Sequence, residues 1–319
     1  MAGLSVILVN WNTRELLDRC LRSVLTSANG LSDVELLVVD NGSHDGSAAM
    51  VATRYPMAHL IANSDNPGFA RANNLAIRKA RGDFLLILNP DTELLGTAIP
   101  ELLTFAEQHP DVAVVGPQLI NPDGSVQSSR RRFPTLATAF LESTVLQRWL
   151  PNHPALRRFY LLDRSDDETQ EVDWVVGAGF LVRAAAARQV GLMDESYFMY
   201  SEELDWCRRF ASAGWKVAYH PAAQLIHYGG QSSGQDPFHR HTRFQHSKSL
   251  YFEKYHGRLF AQLLRLFLLA NYLFLLTEDV AKLLLLRRKR PMRRQRISTL
   301  ARVVAWQVGW IVRLGKQQP

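Results

Sequence analysis

Asp91 and Glu93 sit one residue apart directly after the apolar run Leu85-Leu86-Ile87-Leu88, and their type and spacing suit them to chemistry. Two hard carboxylates so placed can hold Mg2+ or Mn2+ together with a substrate diphosphate. The apolar run, introduced by Gly82-Asp83, reads as a central parallel strand, and Pro90 ends its pairing because it has no N–H to donate. The acids then lie just past the strand's carboxyl end, the edge at which open α/β sheets bind ligands. A turn with solvated acids would use the same residues.

A second acidic group, Glu202, Glu203 and Asp205, follows Ser201, a good helix cap. Dipole complementation in the first helical turn would account for all three acids. His227 ends a strand-like stretch ahead of the glycine- and serine-rich segment 229–234, a loop able to close over a ligand. A lone histidine at a strand end is usually structural. Asp40 closes another apolar run, where its carboxylate can accept from a base N–H or a ribose hydroxyl, or hold a turn. No Gly-x-Gly-x-x-Gly or Gly-x-x-x-x-Gly-Lys spacing follows these runs, which counts against dinucleotide oxidoreductases and P-loop NTPases.

The elements that must position these groups follow from periodicity. Residues 5–9, 35–40 and 60–62 read as strands, and 16–25, 48–54 and 70–81 as helices, giving βαβ units of a parallel sheet. A helix over 100–108 and a strand over 112–115 follow. The sheet resumes at 174–183, where Gly177-Ala178-Gly179 allows close backbone approach to a ligand or a tight bulge. A helix runs from 202 with Leu204, Cys207, Phe210 and Ala211 as its buried stripe, and strand pieces fall at 217–219 and 223–226. Cys20 and Cys207, the two cysteines, read as small apolar core residues. Between 121 and 171 the pattern is weak: a turn at Asn121-Pro122-Asp123-Gly124, the run Arg130-Arg131-Arg132 as a solvated face or a partner for an acceptor phosphate, and a loose helix over 136–150.

Four motifs in register carry a resemblance. Ser5-Val6-Ile7-Leu8-Val9-Asn10-Trp11-Asn12, Val38-Val39-Asp40-Asn41-Gly42-Ser43-His44-Asp45-Gly46-Ser47, Asn66-Pro67-Gly68-Phe69-Ala70-Arg71-Ala72-Asn73-Asn74 and Leu88-Asn89-Pro90-Asp91-Thr92-Glu93 resemble, in that order, the family 2 glycosyltransferases, in the branch with rhamnosyltransferases of cell-surface polysaccharide assembly. The resemblance implies a GT-A fold, with a Rossmann-like, mostly parallel sheet flanked by helices. It implies donor-nucleotide binding by Val9, Asn10, Asn12, Asp40, Asn66, Gly68, Arg71, Asn73, Asn89 and Asp91, and Mg2+ or Mn2+ held by Asp91, Glu93 and His227. Where that family often writes Asp-x-Asp, this chain has Asp91-x-Glu93. The family's Glu-Asp before a helix ending Ala-Gly-Trp corresponds to Glu202-Glu203 here, so the catalytic base carries over to Glu203, with Glu202, Asp205 and Gly179 near the acceptor. His239, His241 and His246 are weaker metal candidates, and Arg240 and Arg243 candidate diphosphate contacts.

Charge divides the chain. Residues 257–319 hold 13 basic and 2 acidic side chains, a net +11, against −4 for the rest, so an anionic membrane surface is the expected partner of the tail and nucleic acid is not. Residues 259–286 are rich in Leu and Phe. Their longest unbroken apolar pieces, 266–270 and 272–276, fall short of the roughly 20 residues that span a bilayer. The tail is therefore expected to lie on the membrane or pack as a helix pair, docked on the body or on a second copy in a homo-oligomer, with the basic run 287–296 on headgroups and Trp306 and Trp310 at the interface.

The expectation is a GT-A domain over 1–256, donor half about 1–120 and acceptor half about 121–256, and a basic amphipathic helical extension over 257–319. Met1-Ala2-Gly3 runs straight into a strand with no basic leader, so the expected place is cytoplasmic, peripheral on the inner face of the membrane. The expected activity is inverting, metal-dependent transfer from a nucleoside-diphosphate sugar to a glycan or polyprenyl-linked acceptor. A non-catalytic protein of the same fold binding the membrane surface is the alternative.

Overall fold

The computed structural model describes residues 3–286 and 290–312, so Arg287, Arg288 and Lys289 of the basic run, and Arg313 and Leu314, lie outside the described residues. The chain forms two compact units, the first from 1–133, 160–198 and 202–232, the second from 134–159, 199–201 and 233–319. The division therefore does not fall at the 256/257 boundary expected from charge.

In the first unit the order begins β1 (Leu4–Asn10), α1 (Arg14–Ser27), β2 (Val34–Asn41), α2 (Ser47–Arg54), β3 (His59–Asn63), α3 (Phe69–Ile77) and β4 (Phe84–Leu88). It continues with β5 (Thr92–Leu94), α4 (Ala98–Gln108), β6 (Val112–Ile120), β7 (Val126–Gln127) and β8 (Arg130–Arg131). After α5 (Leu136–Leu141), α6 (Val145–Trp149) and α7 (Pro154–Phe159), which belong to the second unit, the first resumes. There follow β9 (Gln170–Val172), β10 (Trp174–Val175), β11 (Gly179–Arg183), α8 (Ala184–Val190), α9 (Glu202–Ser212) and β12 (Lys216–His227). The second unit ends with α10 (Pro237–His256), α11 (Arg258–Leu285) and α12 (Arg290–Val312).

The main sheet runs β3-β2-β1-β4-β11-β6-β12-β5. β1 pairs in parallel with β2 and β4, and β2 with β3, as helical crossovers require. β11 is antiparallel to β4 and β6, and β5 to β12. In this register Asn10 lies opposite Asp40, and Asn41 opposite Asn63, so the polar ends of three strands share one edge. β1 has β2 on one side and β4 on the other, which makes its carboxyl end the switch point where such sheets bind ligands. All of β1 and β4 is buried, as strands covered on both faces must be.

Three further differences from expectation stand out. The pieces at 217–219 and 223–226 are one strand, β12, interrupted in register between His220 and Gln224, where Pro221 cannot donate to the ladder. Helix α10 was not legible, because its buried residues include Thr242, Gln245, Ser247, Lys248 and Ser249, which leave no apolar period. Its start is nonetheless well specified: the Asp236 side chain accepts from the His239 amide and Pro237 opens the first turn. The third is the tail, where α11 is a single 28-residue helix, by length and composition long and apolar enough to cross a bilayer. Three of the polar residues that interrupt its apolar pieces, Arg265, Asn271 and Asp279, are buried inside the second unit. Arg265 pairs with Glu253 at 2.6 Å, Asn271 accepts from the Val145 amide at 2.8 Å, and Asp279 pairs with Arg296 of α12 at 2.8 Å.

Gly68 shows how tightly the loop before α3 is specified. Its φ is +93°, and an added Cβ would stand 2.5 Å from the Phe198 carbonyl oxygen, which already accepts from the Phe69 amide at 2.6 Å. Gly68→Ala is expected to destabilise the protein by about 1–3 kcal/mol from backbone strain alone, more with the clash, and a denaturant melt checks it.

Candidate active site

Asp91 lies in the turn between β4 and β5, 5% exposed. Across from it, at the end of β12, His227 is opposite Thr92 in the antiparallel pairing with β5. That pairing brings His227 Nε2 to 3.5 Å from Asp91 Oδ1. The Asp91 carbonyl accepts from the Tyr228 amide at 2.9 Å, and its Oδ2 lies 3.4 Å from the Gln231 amide, so the 228–231 segment folds over the acid. The other ring nitrogen, His227 Nδ1, meets Gln127 Oε1 at 2.6 Å.

Glu93 is held elsewhere: it accepts from the Tyr228 hydroxyl at 2.9 Å and lies 3.9 Å from the Arg19 guanidinium. The two acids that the sequence pairs are thus separated by their partners. Among the described residues no group of three or more His, Cys, Asp or Glu gathers as a metal site. A carboxylate oxygen and an imidazole nitrogen still fit a divalent cation that takes its remaining ligands from a diphosphate and water, since such cations are commonly held by one or two carboxylates plus substrate phosphates.

The nucleotide-side candidates converge on the sheet edge. Asp40 accepts from Asn10 Nδ2 at 2.9 Å and from the Ser43 amide at 3.0 Å, and Asn10 Oδ1 accepts from Thr13 at 2.7 Å. Thr13 therefore serves Asn10 and does not cap α1 with its side chain. Asn12 has φ 52° and accepts from the His44 amide at 2.8 Å, tying the turn after β1 to the turn after β2. Val9 is buried within β1. Asn66 Oδ1 accepts from the Gly68 amide at 3.0 Å. Asn73 is fully buried, donates to the Phe69 carbonyl at 3.0 Å, and leaves its Oδ1 without a partner. Arg71 is exposed, 4.0 Å from Glu195.

Glu202 and Glu203 open α9. Burial and the adjoining Glu203 push the Glu202 carboxyl well above the usual range. Burial also raises Glu203, partly offset by the amides of Glu203, Gly177 and Leu204. Glu203 Oε1 accepts from the Gly177 amide at 3.2 Å, and its Oε2 touches neither solvent nor a hydrogen-bond partner. The next residue, Ala178, accepts from the Asn89 amide at 2.8 Å. Two hydrogen bonds across Gly177-Ala178 thus connect Glu203 to the tip of β4 that carries Asp91.

The remaining candidates are placed differently. Asp205, fully buried, holds Arg209 at 3.0 Å, and that guanidinium clamps the carbonyls of Val190 and Leu192. Gly179 is packed in the sheet, where a Cβ would stand 2.6 Å from Leu225, while Gly177 is the glycine that faces Glu203. Ser201 and Tyr200, leading into α9, have φ of 66° and 72°, a conformation unlike the extended one of ordinary caps. The three arginines are not a solvated face: Arg130 is buried against Asp166, Arg131 lies over Tyr160, and Arg132 pairs with Asp173. His239, His241 and His246 lie on α10, against Asp236, Tyr272 and Trp310. Sequence reasoning missed Gln127, Tyr228 and Gln231 as site residues, since each acts through a partner about 100 residues or more away.

The Glycosyl transferase family 2 profile matches residues 5–188. The N-acetylglucosaminyl-diphospho-decaprenol L-rhamnosyltransferase of Mycobacterium tuberculosis is 32% identical over 245 residues, 73% of this chain and 78% of that protein. Rhamnosyltransferase WbbL of Escherichia coli is 30% identical over 172 residues, 50% of this chain and 61% of its own. Among solved structures, a mannosyltransferase from Pyrobaculum calidifontis in complex with GDP-Man and Mn2+ superposes with a TM-score of 0.57 and 16% identity, covering 98% of this chain and 87% of that one. The sheet and its flanking helices are those of the GT-A fold.

Proposed function

We propose, because this chain belongs to glycosyl transferase family 2, that it transfers a sugar with inversion from a nucleoside-diphosphate donor to a glycan or polyprenyl-linked acceptor in cell-surface polysaccharide synthesis. Rhamnose is the sugar in the names of the two relatives above. The observation that carries the reading is the pair of hydrogen bonds across Gly177-Ala178, which ties an acid with an unpartnered oxygen to the tip holding Asp91.

In this reading Asp40 and Asn10 meet the nucleoside, and Asp91 and His227 are the residues that would hold Mg2+ or Mn2+. Such an ion would neutralise the charge left on the departing diphosphate. Glu203 takes the proton from an acceptor hydroxyl as that oxygen attacks the anomeric carbon from the face opposite the leaving group. Single displacement needs one base and no covalent nucleophile. The Gly177 amide fixes one Glu203 oxygen and leaves the other to accept. A panel of nucleotide sugars, each incubated with a polyprenyl-diphosphate glycan and Mn2+, is expected to give nucleoside diphosphate and an inverted glycoside for one donor; release with none of them sinks the proposal.

The pH dependence follows from burial. A base must be ionised, and the Glu203 carboxyl sits above its ordinary range. Activity should therefore fall on acidification at a pH higher than an exposed glutamate would give, read as the acid limb of kcat/KM.

In the second unit α11 exposes Leu259, Leu263, Leu266, Leu273 and Leu284 beside a basic α12, and we assign this face to an anionic membrane surface, with the protein peripheral on the cytoplasmic side. The burial of Arg265, Asn271 and Asp279 within the unit favours lying on the bilayer over crossing it. The exposed positions 259, 263, 266, 270, 273, 277, 280 and 284 also step by four and three, which suits a helix of a second copy. Flotation with anionic vesicles is expected, lost in a protein carrying Leu259→Asp, Leu263→Asp and Leu266→Asp together. A concentration-dependent dimer that does not float would favour the second copy.

A further inference from the structure

We infer that Gln127 is a positioning residue that decides which ring nitrogen of His227 carries the proton, and so presents Nε2 as a lone-pair donor beside Asp91. The inference rests on the reading of Asp91 and His227 as the cation-holding pair. It starts from a turn that looks purely structural, Asn121-Pro122-Asp123-Gly124, which joins β6 to β7.

Asp123 is an exposed carboxylate, and the hydroxyl and amide of Ser125 hold it below its usual range, so at neutral pH it only accepts. The Ser125 hydroxyl donates to Asp123 Oδ1 at 2.6 Å. With its single proton committed, Ser125 Oγ can only accept from its other neighbour, Asn121 Nδ2, at 3.0 Å. That fixes the Asn121 amide with its carbonyl oxygen turned the other way, where it accepts from Gln127 Nε2 at 2.8 Å. Gln127 is then oriented too, and its carbonyl oxygen faces His227 Nδ1 at 2.6 Å. A carbonyl oxygen cannot donate, so Nδ1 carries the hydrogen and Nε2 of the neutral ring keeps its lone pair, 3.5 Å from Asp91 Oδ1.

The sheet supplies the reach. β7 and β12 both pair with β6: Gln127 lies opposite Leu119, which pairs with Leu225, and Ile226 pairs with Ile120. Gln127 and His227 thus stand on either side of the end of β6. An imidazole with no such acceptor prefers its proton on Nε2, where it blocks ligation. Partners that orient a ligating histidine commonly change metal affinity by about 10- to 100-fold when removed.

The test uses the full chain with two variants. Nitrogen-15 histidine spectra of metal-free protein report the tautomer, and the electron paramagnetic resonance signal of free Mn2+ reports uptake of the metal alone. Gln127→Leu is expected to move the His227 proton from Nδ1 to Nε2 and to weaken Mn2+ binding about 10- to 100-fold. Gln127→Glu, which still offers an oxygen to Nδ1, is expected to keep the wild-type tautomer and bind Mn2+ within about threefold of wild type, far less than such partners usually change. This rescue separates positioning from a general loss of fold. A Gln127→Leu protein that keeps the proton on Nδ1, or that changes tautomer with no change in Mn2+ binding, overturns the inference. Wild-type protein that takes up no Mn2+ overturns the cation reading instead, because the tautomer is read without metal.

Discussion

Glu203→Gln is expected to leave the protein folded and to lower sugar transfer by about 10²- to 10⁴-fold, the contribution usual for a positioned general base. The replacement has nearly the same shape and keeps a carbonyl oxygen for the Gly177 amide, but it cannot take a proton. Donor binding should survive, so the loss falls on kcat. Stability supplies an independent check. The Glu202 and Glu203 carboxyls are both raised by burial, so between the ordinary carboxylate range and their higher folded values the native state binds more protons than the unfolded one. Stability contributed by this pair is therefore full at low pH and falls as pH rises through the folded values. Glu203→Gln should flatten that fall and match or exceed the wild-type melting temperature at neutral pH. A variant that transfers sugar at the wild-type rate removes Glu203 as the base.

Asp91→Ala should abolish transfer for a different reason. Its carboxylate both faces His227 and meets the Gln231 amide, so its loss removes the ligand proposed for the cation and one anchor of the 228–231 segment. The discriminating readout is thermal. A nucleoside diphosphate with Mn2+ present at 100 times its Kd adds about 2.7 kcal/mol to wild-type stability. The variant should show no Mn2+-dependent part of that gain, while Glu203→Gln should keep it. Equal stabilisation of Asp91→Ala and wild type would mean that the cation is not held there.

The first part of the sheet was legible because β1, β2 and β4 each carry an apolar run of four or more residues ending in a polar turn, a pattern that parallel burial imposes over short stretches. The positions of Asp40 and Asp91 followed from the same ends, whereas Glu203, in the first turn of α9, was reached only through the family resemblance. What could not be read were relations set by distant pairing. Nothing near Glu93 in sequence reveals that the Tyr228 hydroxyl takes its carboxylate, or that Arg209 takes that of Asp205 while bridging to the 190–192 carbonyls. Gly177 and Gly179 look equivalent in sequence, yet Gly177 lies in the turn before β11, facing the acid, while Gly179 is the first residue of the strand and packs within the sheet. α10 hid because a buried polar face has no hydrophobic period.

The second unit is stitched from segments far apart in the chain. Val145, in the short helices between β8 and β9, gives its amide to Asn271, and Arg148 pairs with Glu278, while Glu253 of α10 receives Arg265 of α11. Trimming the polypeptide after 256 would strip three partners at once from residues that remain. The helical appendage is thus not a detachable module, and its inserted and terminal parts have to be inherited, grafted or exchanged together.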